Sequence, residues 1–166
     1  MVVEWPFVGT EALASGVVNR YQLATHYEAL FRNVYVPKGM KVTPVDKAIG
    51  AWLWSGRRGT AAGLSAAALH GSQWIDAASP AELNQASRHK TKGIVLHGDA
   101  LSDAETAVID GVAVTTPART AFDLGRRRDT ETSSPKRSWC SSNATAEHVA
   151  SLDCGRRSKP SFDWTR

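Results

Sequence analysis

Aliphatic side chains run out at Arg128, and a chain can fold only as far as it can fill a core. From Asp129 to Arg166, Val149 and Leu152 are the only branched aliphatics, and eight serines stand between Ser133 and Ser161. Such a stretch buries too little apolar surface to offset the entropy of ordering it. It predicts a low-order tail over 129–166, with at most a helical turn around Ala144–Leu152. Charge does not set the tail apart. It holds six Lys/Arg and five Asp/Glu, against fourteen and eleven in residues 1–128. Those first 128 residues are enough for a domain with a real core. Both cysteines, Cys140 and Cys154, fall in the tail, as do Trp139 and Trp164. The cysteines lack zinc-site spacing and a nearby His pair, and two free thiols are preferred over a disulfide.

The formal net charge of +4 permits nucleic-acid binding without demanding it. No apolar run reaches the length of a membrane span, and Met1–Gly9 has no basic-then-apolar leader. The expectation is a cytoplasmic protein with no membrane partner. The glycosylation sequon Asn143-Ala144-Thr145 is then a chance match.

Within residues 1–128 the local signals are clear. Thr10 is expected to cap a helix over Glu11–Ala14, ending at Gly16, and Asn19 to cap a second over Arg20–Tyr27. Ala29–Phe31 and Val34–Val36 read as strands, with Arg32-Asn33 at the turn between them. Thr43-Pro44 pairs a cap with proline at the first helical position, opening a long helix to about Arg57. Ser65 is expected to cap Ala66–His70, which stops at Gly71. These two helices are apolar on most faces and are expected at the centre of the fold. Glu82–Asn84 and Gly93–His97 read as strands. Ala107–Ile109 and Val112–Thr115 follow, joined by Asp110-Gly111, which suits a type I′ hairpin turn. Thr116-Pro117 starts a last helix over Ala118–Arg127. The expected fold class is α+β. An N-terminal winged-helix-like unit (residues 1–42) is followed by a small helical and β-hairpin domain (43–128) and a disordered C-terminal tail (129–166).

Catalytic chemistry is not expected. A restriction-type nuclease needs a carboxylate followed two positions later by lysine, to hold a divalent metal and activate water. No Asp or Glu in this chain has that lysine. Gly56-Arg57-Arg58-Gly59 is a charged turn, not a phosphate loop. His97-Gly98-Asp99 lacks a third ligand and reads as a strand ending in a polar turn. His70 is expected to meet orphan carbonyls at a helix end. Ser65, without a nucleophile-elbow context, reads as a cap. No catalytic residue, metal site or cofactor is therefore assigned. Trp52, Trp54 and Trp74 read as core or partner-facing aromatics.

Binding chemistry is expected over residues 19–41. The second helix offers Arg20, Tyr21, Gln22, Thr25 and His26. Arg and Gln are suited to base edges, Tyr and Thr to phosphates. The hairpin and its exit carry Arg32, Lys38 and Lys41, suited to backbone phosphates. A solvated helix face and an ordinary charged turn would look the same. Arg88–Lys92 reads as a solvated basic loop, Arg126–Arg128 as cations at a helix end, and Arg119 with Asp123 as a buried i, i+4 pair.

Three blocks carry a resemblance. Phe31-Arg32-Asn33-Val34-Tyr35-Val36-Pro37 resembles the G-V-Y-V-P wing of AbiEi-type antitoxins, with Asn33 where the family has Gly. Leu64–Gly71, read L-S-A-A-A-L-H-G, is similar to their S-A-A-x-L-H-G helix. Val114–Leu124, read V-T-T-P-A-R-T-A-F-D-L, resembles the segment that closes the module. The resemblance implies a DNA-binding winged helix acting at the family's own promoter. It also implies an α/β antitoxin region over 43–128, directed against a nucleotidyltransferase-like toxin. In actinobacterial relatives the same portion precedes an endonuclease domain of the very-short-patch-repair type. The match ends near Arg128, which suggests a truncated or frame-shifted gene. The expected function is a non-catalytic, DNA-binding, antitoxin-like transcriptional regulator or its remnant. The alternatives are an inactive fragment of a nuclease-family protein and a protein-binding module that neutralises a toxin.

Overall fold

The computed structural model describes residues 5–86 and 91–131, without the side chains of 127–131. These residues belong to one unit, Met1–Ser134. The fold is mixed α+β, with five α-helices and two sheets. Residues 129–131 of the expected tail are helical rather than low-order; the rest of the tail, both cysteines and Arg88, His89 and Lys90 lie outside the described residues.

The first sheet begins with β1 (Phe7–Val8), which leads directly into α1 (Gly9–Ala14). Next come α2 (Arg20–His26), β2 (Tyr27–Phe31) and β3 (Val34–Pro37). The strands are antiparallel in the order β1-β3-β2. Asn19 caps α2 as expected. Its side chain accepts from the Gln22 amide at 2.8 Å, and the Gln22 side chain accepts from the Asn19 amide at 2.9 Å. No loop residue separates α2 from β2. Asn33 takes a positive φ of 65° at the hairpin turn, a conformation Asn tolerates better than most residues. The expected Thr10 cap is not formed. The helix starts at Gly9, and the Thr10 hydroxyl instead accepts from Asn33 Nδ2 at 2.9 Å.

The central helix is α3 (Pro44–Trp54). Thr43 closes a capping box with Asp46, whose carboxylate accepts from the Thr43 amide at 2.8 Å. The helix ends at Trp54 rather than Arg57, because Gly56 and Arg57 both adopt positive φ, 69° and 61°, in the following turn. Its buried face is made of small residues: Ala48, Gly50 and Ala51. A Cβ at Gly50 would stand 2.8 Å from Leu30 Cδ2 and 3.3 Å from Phe31 Cε2, so Leu30 would have to shift to admit any side chain there.

The second sheet contains β4 (Thr60–Ala61), β5 (Ala81–Asn84), β6 (Ile94–His97), β7 (Thr106–Ile109) and β8 (Val112–Thr115). Their order is β6-β5-β4-β8-β7. The pairs β4–β8 and β5–β6 are parallel, and the others antiparallel. Asp110 and Gly111 both have positive φ, 48° and 80°, as a type I′ turn requires. The remaining helices are α4 (Gly63–Leu69) and α5 (Pro117–Glu131). The last helix runs past Arg127, the expected end. One apolar cluster joins both sheets: Phe31 and Val34 meet Ala51, Ala66, Leu83, Ile94 and Val114, with Trp52 and Trp54 packed against it. A smaller cluster holds α1 and α2 through Phe7, Ala12, Val18 and Leu23.

Ser65 is not the cap of α4. That helix starts two residues earlier, and the Ser65 hydroxyl accepts from the Glu82 amide of β5 at 2.8 Å. The carboxylate of Glu82 serves the helix start instead, accepting from the Leu64 amide at 3.1 Å. Gly63, at φ 52°, makes room for it, and a Cβ there would collide with that carboxylate. His70 does meet a carbonyl, but that of Thr115 on β8, with Nε2 at 2.8 Å. Gly63→Ala combines a left-handed penalty with this collision and is expected to cost more than about 2 kcal/mol. Gly125→Ala, on the exposed face of α5 with open space around it, is expected to be neutral or stabilising by up to about 1 kcal/mol. Urea unfolding of both variants tests the contrast, and equal losses would contradict the Glu82 account.

Candidate nucleic-acid interface

Helix α2 buries none of its residues. Arg20, Tyr21, Gln22, Thr25 and His26 are all exposed, Tyr21 at 76%. Only Leu23 is turned inward, against the cluster of Phe7, Ala12 and Val18. Two capping interactions hold this poorly anchored helix. Asn19 and Gln22 close its start, which ties up Oε1 of Gln22 and leaves its amide nitrogen outward-facing chemistry. At its end Lys38 Nζ donates to the Ala24 carbonyl at 2.7 Å, and the Lys38 amide donates to the His26 carbonyl at 2.9 Å. A cation at a helix C-terminus also complements the dipole.

The basic residues of the hairpin are therefore not one group. Lys38 lies beside the end of α2, and Lys41 is exposed three positions further on. Arg32 stands at the turn, at the opposite end of strands whose paired positions Val34–Pro37 span roughly 10 Å. The turn itself is held against α1, where Asn33 Oδ1 accepts from the Thr10 amide at 3.1 Å. The structure thus places Arg20, Tyr21, Gln22, Thr25 and His26 on α2 with Lys38 beside its end, and leaves Arg32 at the far end of the hairpin. Sequence reasoning missed this separation, because it counts distance along the chain and a hairpin sends its turn and its exit in opposite directions.

Other charged groups are committed to holding the fold. Arg57 pairs bidentately with Glu11, both contacts at 2.7 Å, and this hydrogen bonding lowers the Glu11 pKa and raises that of Arg57. His97 Nε2 lies 2.7 Å from Glu82 Oε2, so the histidine belongs to the same contact set as the start of α4. Among the described residues, no group of three or more His, Cys, Asp or Glu side chains is placed to hold a metal ion. No described helix is long and apolar enough to cross a membrane.

The expected pair of Arg119 and Asp123 is present, with Nε and Oδ2 3.2 Å apart and Asp123 1% exposed. It is part of a larger network. Arg119 also reaches Glu105 at 2.7 Å and Asp99 at 3.3 Å, and Arg126 reaches Asp99 at 2.6 Å. These contacts tie α5 to the loop after β6 and to the turn before β7. No protein-family model, curated protein or solved structure matches this chain.

Glu105 gives the network a measurable signature. The Ser102 amide, the Arg119 guanidinium and the Ser102 hydroxyl hold its pKa down from 4.5 to about 2. A depressed carboxylate contributes stability that is full above the unfolded value and is lost as pH falls through the folded one. The melting-temperature gap between the natural protein and Glu105→Gln is expected to be widest above about pH 5 and to close toward pH 2. A gap that stays constant from pH 6 to about 2 would contradict this assignment.

Proposed function

We propose that this chain is a non-catalytic DNA-binding regulator of the AbiEi antitoxin type, reading DNA with α2. The observation that carries the proposal is a short helix, capped at both ends, whose polar side chains all face solvent. A helix with one apolar anchor gains little from the core, so its exposed face is the part with something to do. Its setting supports the reading. Two helices between the first and second strands, with sheet order β1-β3-β2, are the connectivity of a winged helix without its leading helix. The helix before β2 is then the one that enters the major groove. Arg20 and Gln22 have base-reading chemistry, and Tyr21, Thr25, Lys38 and Lys41 have phosphate-reading chemistry.

A second reading, capture of a nucleotidyltransferase-like toxin, draws support from a different place. Trp74 is 96% exposed and Phe122 61%, a large apolar area to leave in water. The two readings are compatible, as the surfaces are separate residues on separate elements.

Gel shifts with DNA from upstream of the chain's own gene, across a salt series, test the first reading. Lys41→Ala is expected to reduce the salt slope by about one. Arg20→Ala is expected to cost about 1–3 kcal/mol and to relax sequence preference. Unchanged binding in both variants, or no specific shift at low salt, would overturn it. For the second reading, co-expression with the product of the adjacent gene should give a complex that Trp74→Ala weakens, and an unaffected complex would count against it.

A further inference from the structure

The turn that carries Arg32 opens onto a cavity of about 410 Å³. Its walls come from β1, the hairpin turn, the end of α3 and the end of β5, which places it where the two sheets meet. Val8, Leu53 and Trp54 supply apolar surface, while Arg32, Arg58 and Gln85 supply polar groups.

Those three polar groups lack the partners the rest of the molecule provides. Arg57, Arg119 and Arg126 all pair with carboxylates. Arg32 has no ion pair or side-chain hydrogen bond among the described residues, and Arg58 has only a long contact of 3.4 Å from Nε to the Ser55 carbonyl. Two guanidinium forks thus line one cavity with no anion from the protein between them. The side-chain oxygen of Gln85 is buried and meets no donor among the described residues. The other polar groups of the wall are spent. Asn33 is bonded to Thr10, and the Ser55 hydroxyl donates to the Trp52 carbonyl and accepts from the Gly59 amide.

We propose that this cavity binds a mononucleotide, its phosphate held by Arg32 and Arg58 and its base set against Trp54. Guanidinium is the side chain best matched to phosphate, because its planar fork donates two parallel hydrogen bonds. The volume lies within the range of small-molecule sites, and the combination of an apolar wall with a few convergent polar groups is what such sites have. The proposal does not rest on DNA binding by α2, which lies at the other end of the hairpin. Free nucleotide and the nucleotide unit of a DNA strand share this chemistry, and the oligonucleotide arm of the test below separates them.

Titration calorimetry of the full chain with AMP, UMP, inorganic phosphate, adenosine and a short single-stranded oligonucleotide tests this. At least one mononucleotide should bind about tenfold more tightly than phosphate or adenosine alone, as an added charge-assisted contact would give. Arg32→Ala and Arg58→Ala should each weaken it by about tenfold. Both residues are exposed, so neither change should disturb folding. Three results would overturn the proposal. These are no heat with either mononucleotide, binding that survives both arginine substitutions, and binding confined to the oligonucleotide or equal for phosphate alone.

Discussion

Helix α3 is the constraint on which the other elements depend. It packs against both sheets, and it manages this by presenting small residues where the two approach. Ala48 and Ala51 are fully buried, and Gly50 leaves no side chain between the helix and Leu30 or Phe31. Close approach of this kind converts dispersion contacts, each tiny, into a continuous core. Phe31 and Val34 of the hairpin thereby share one apolar cluster with Leu83, Ile94 and Val114 of the larger sheet. The N-terminal hairpin is short and holds only a satellite cluster of its own around Phe7. Its stability is borrowed through α3, so a change at Gly50 would be felt at the wing and in the larger sheet together.

Where the sequence was legible, a residue's local geometry had only one use. Asn19 and Thr43 sit before helices with the right partner three positions on, and both form capping boxes. Asp110-Gly111 and Asn33 supply positive φ where a two-residue turn demands it. The failures share a cause. Thr10 and Ser65 have the chemistry of caps, but their hydroxyls bond Asn33 and Glu82, residues 23 and 17 positions away. No local rule ranks a distant partner. The two-residue strands β1 and β4 were illegible for a related reason: two residues carry no periodicity, and their pairing is decided by the strands beside them. Of the candidate site, the α2 face was legible as a row of polar residues. The division between Arg32 and Lys38 was not, since it exists only once the hairpin is folded.

Charge is divided between two tasks in this molecule. Carboxylates at Glu11, Asp99, Glu105 and Asp123 absorb Arg57, Arg119 and Arg126, which fixes loops and the last helix. The partly exposed members of that set add little individually, and it is the shared, partly buried Arg119 that makes them a network. Arg20, Lys41, Arg32 and Arg58 stand outside that network, so their charge is left for other contacts.

The direct passage from α2 into β2 has a mechanical meaning. A helix advances about 100° per residue, and a strand alternates faces at every residue. With no spacer between His26 and Tyr27, the two phases are locked together. Adding one residue at that junction would either rotate the exposed face of α2 out of place or reverse the in-and-out order of Tyr27–Phe31. The length of the chain at this point is thus as constrained as a side chain in the core, and the orientation of α2 relative to the sheet depends on this count as well as on its contacts through Leu23 and Lys38.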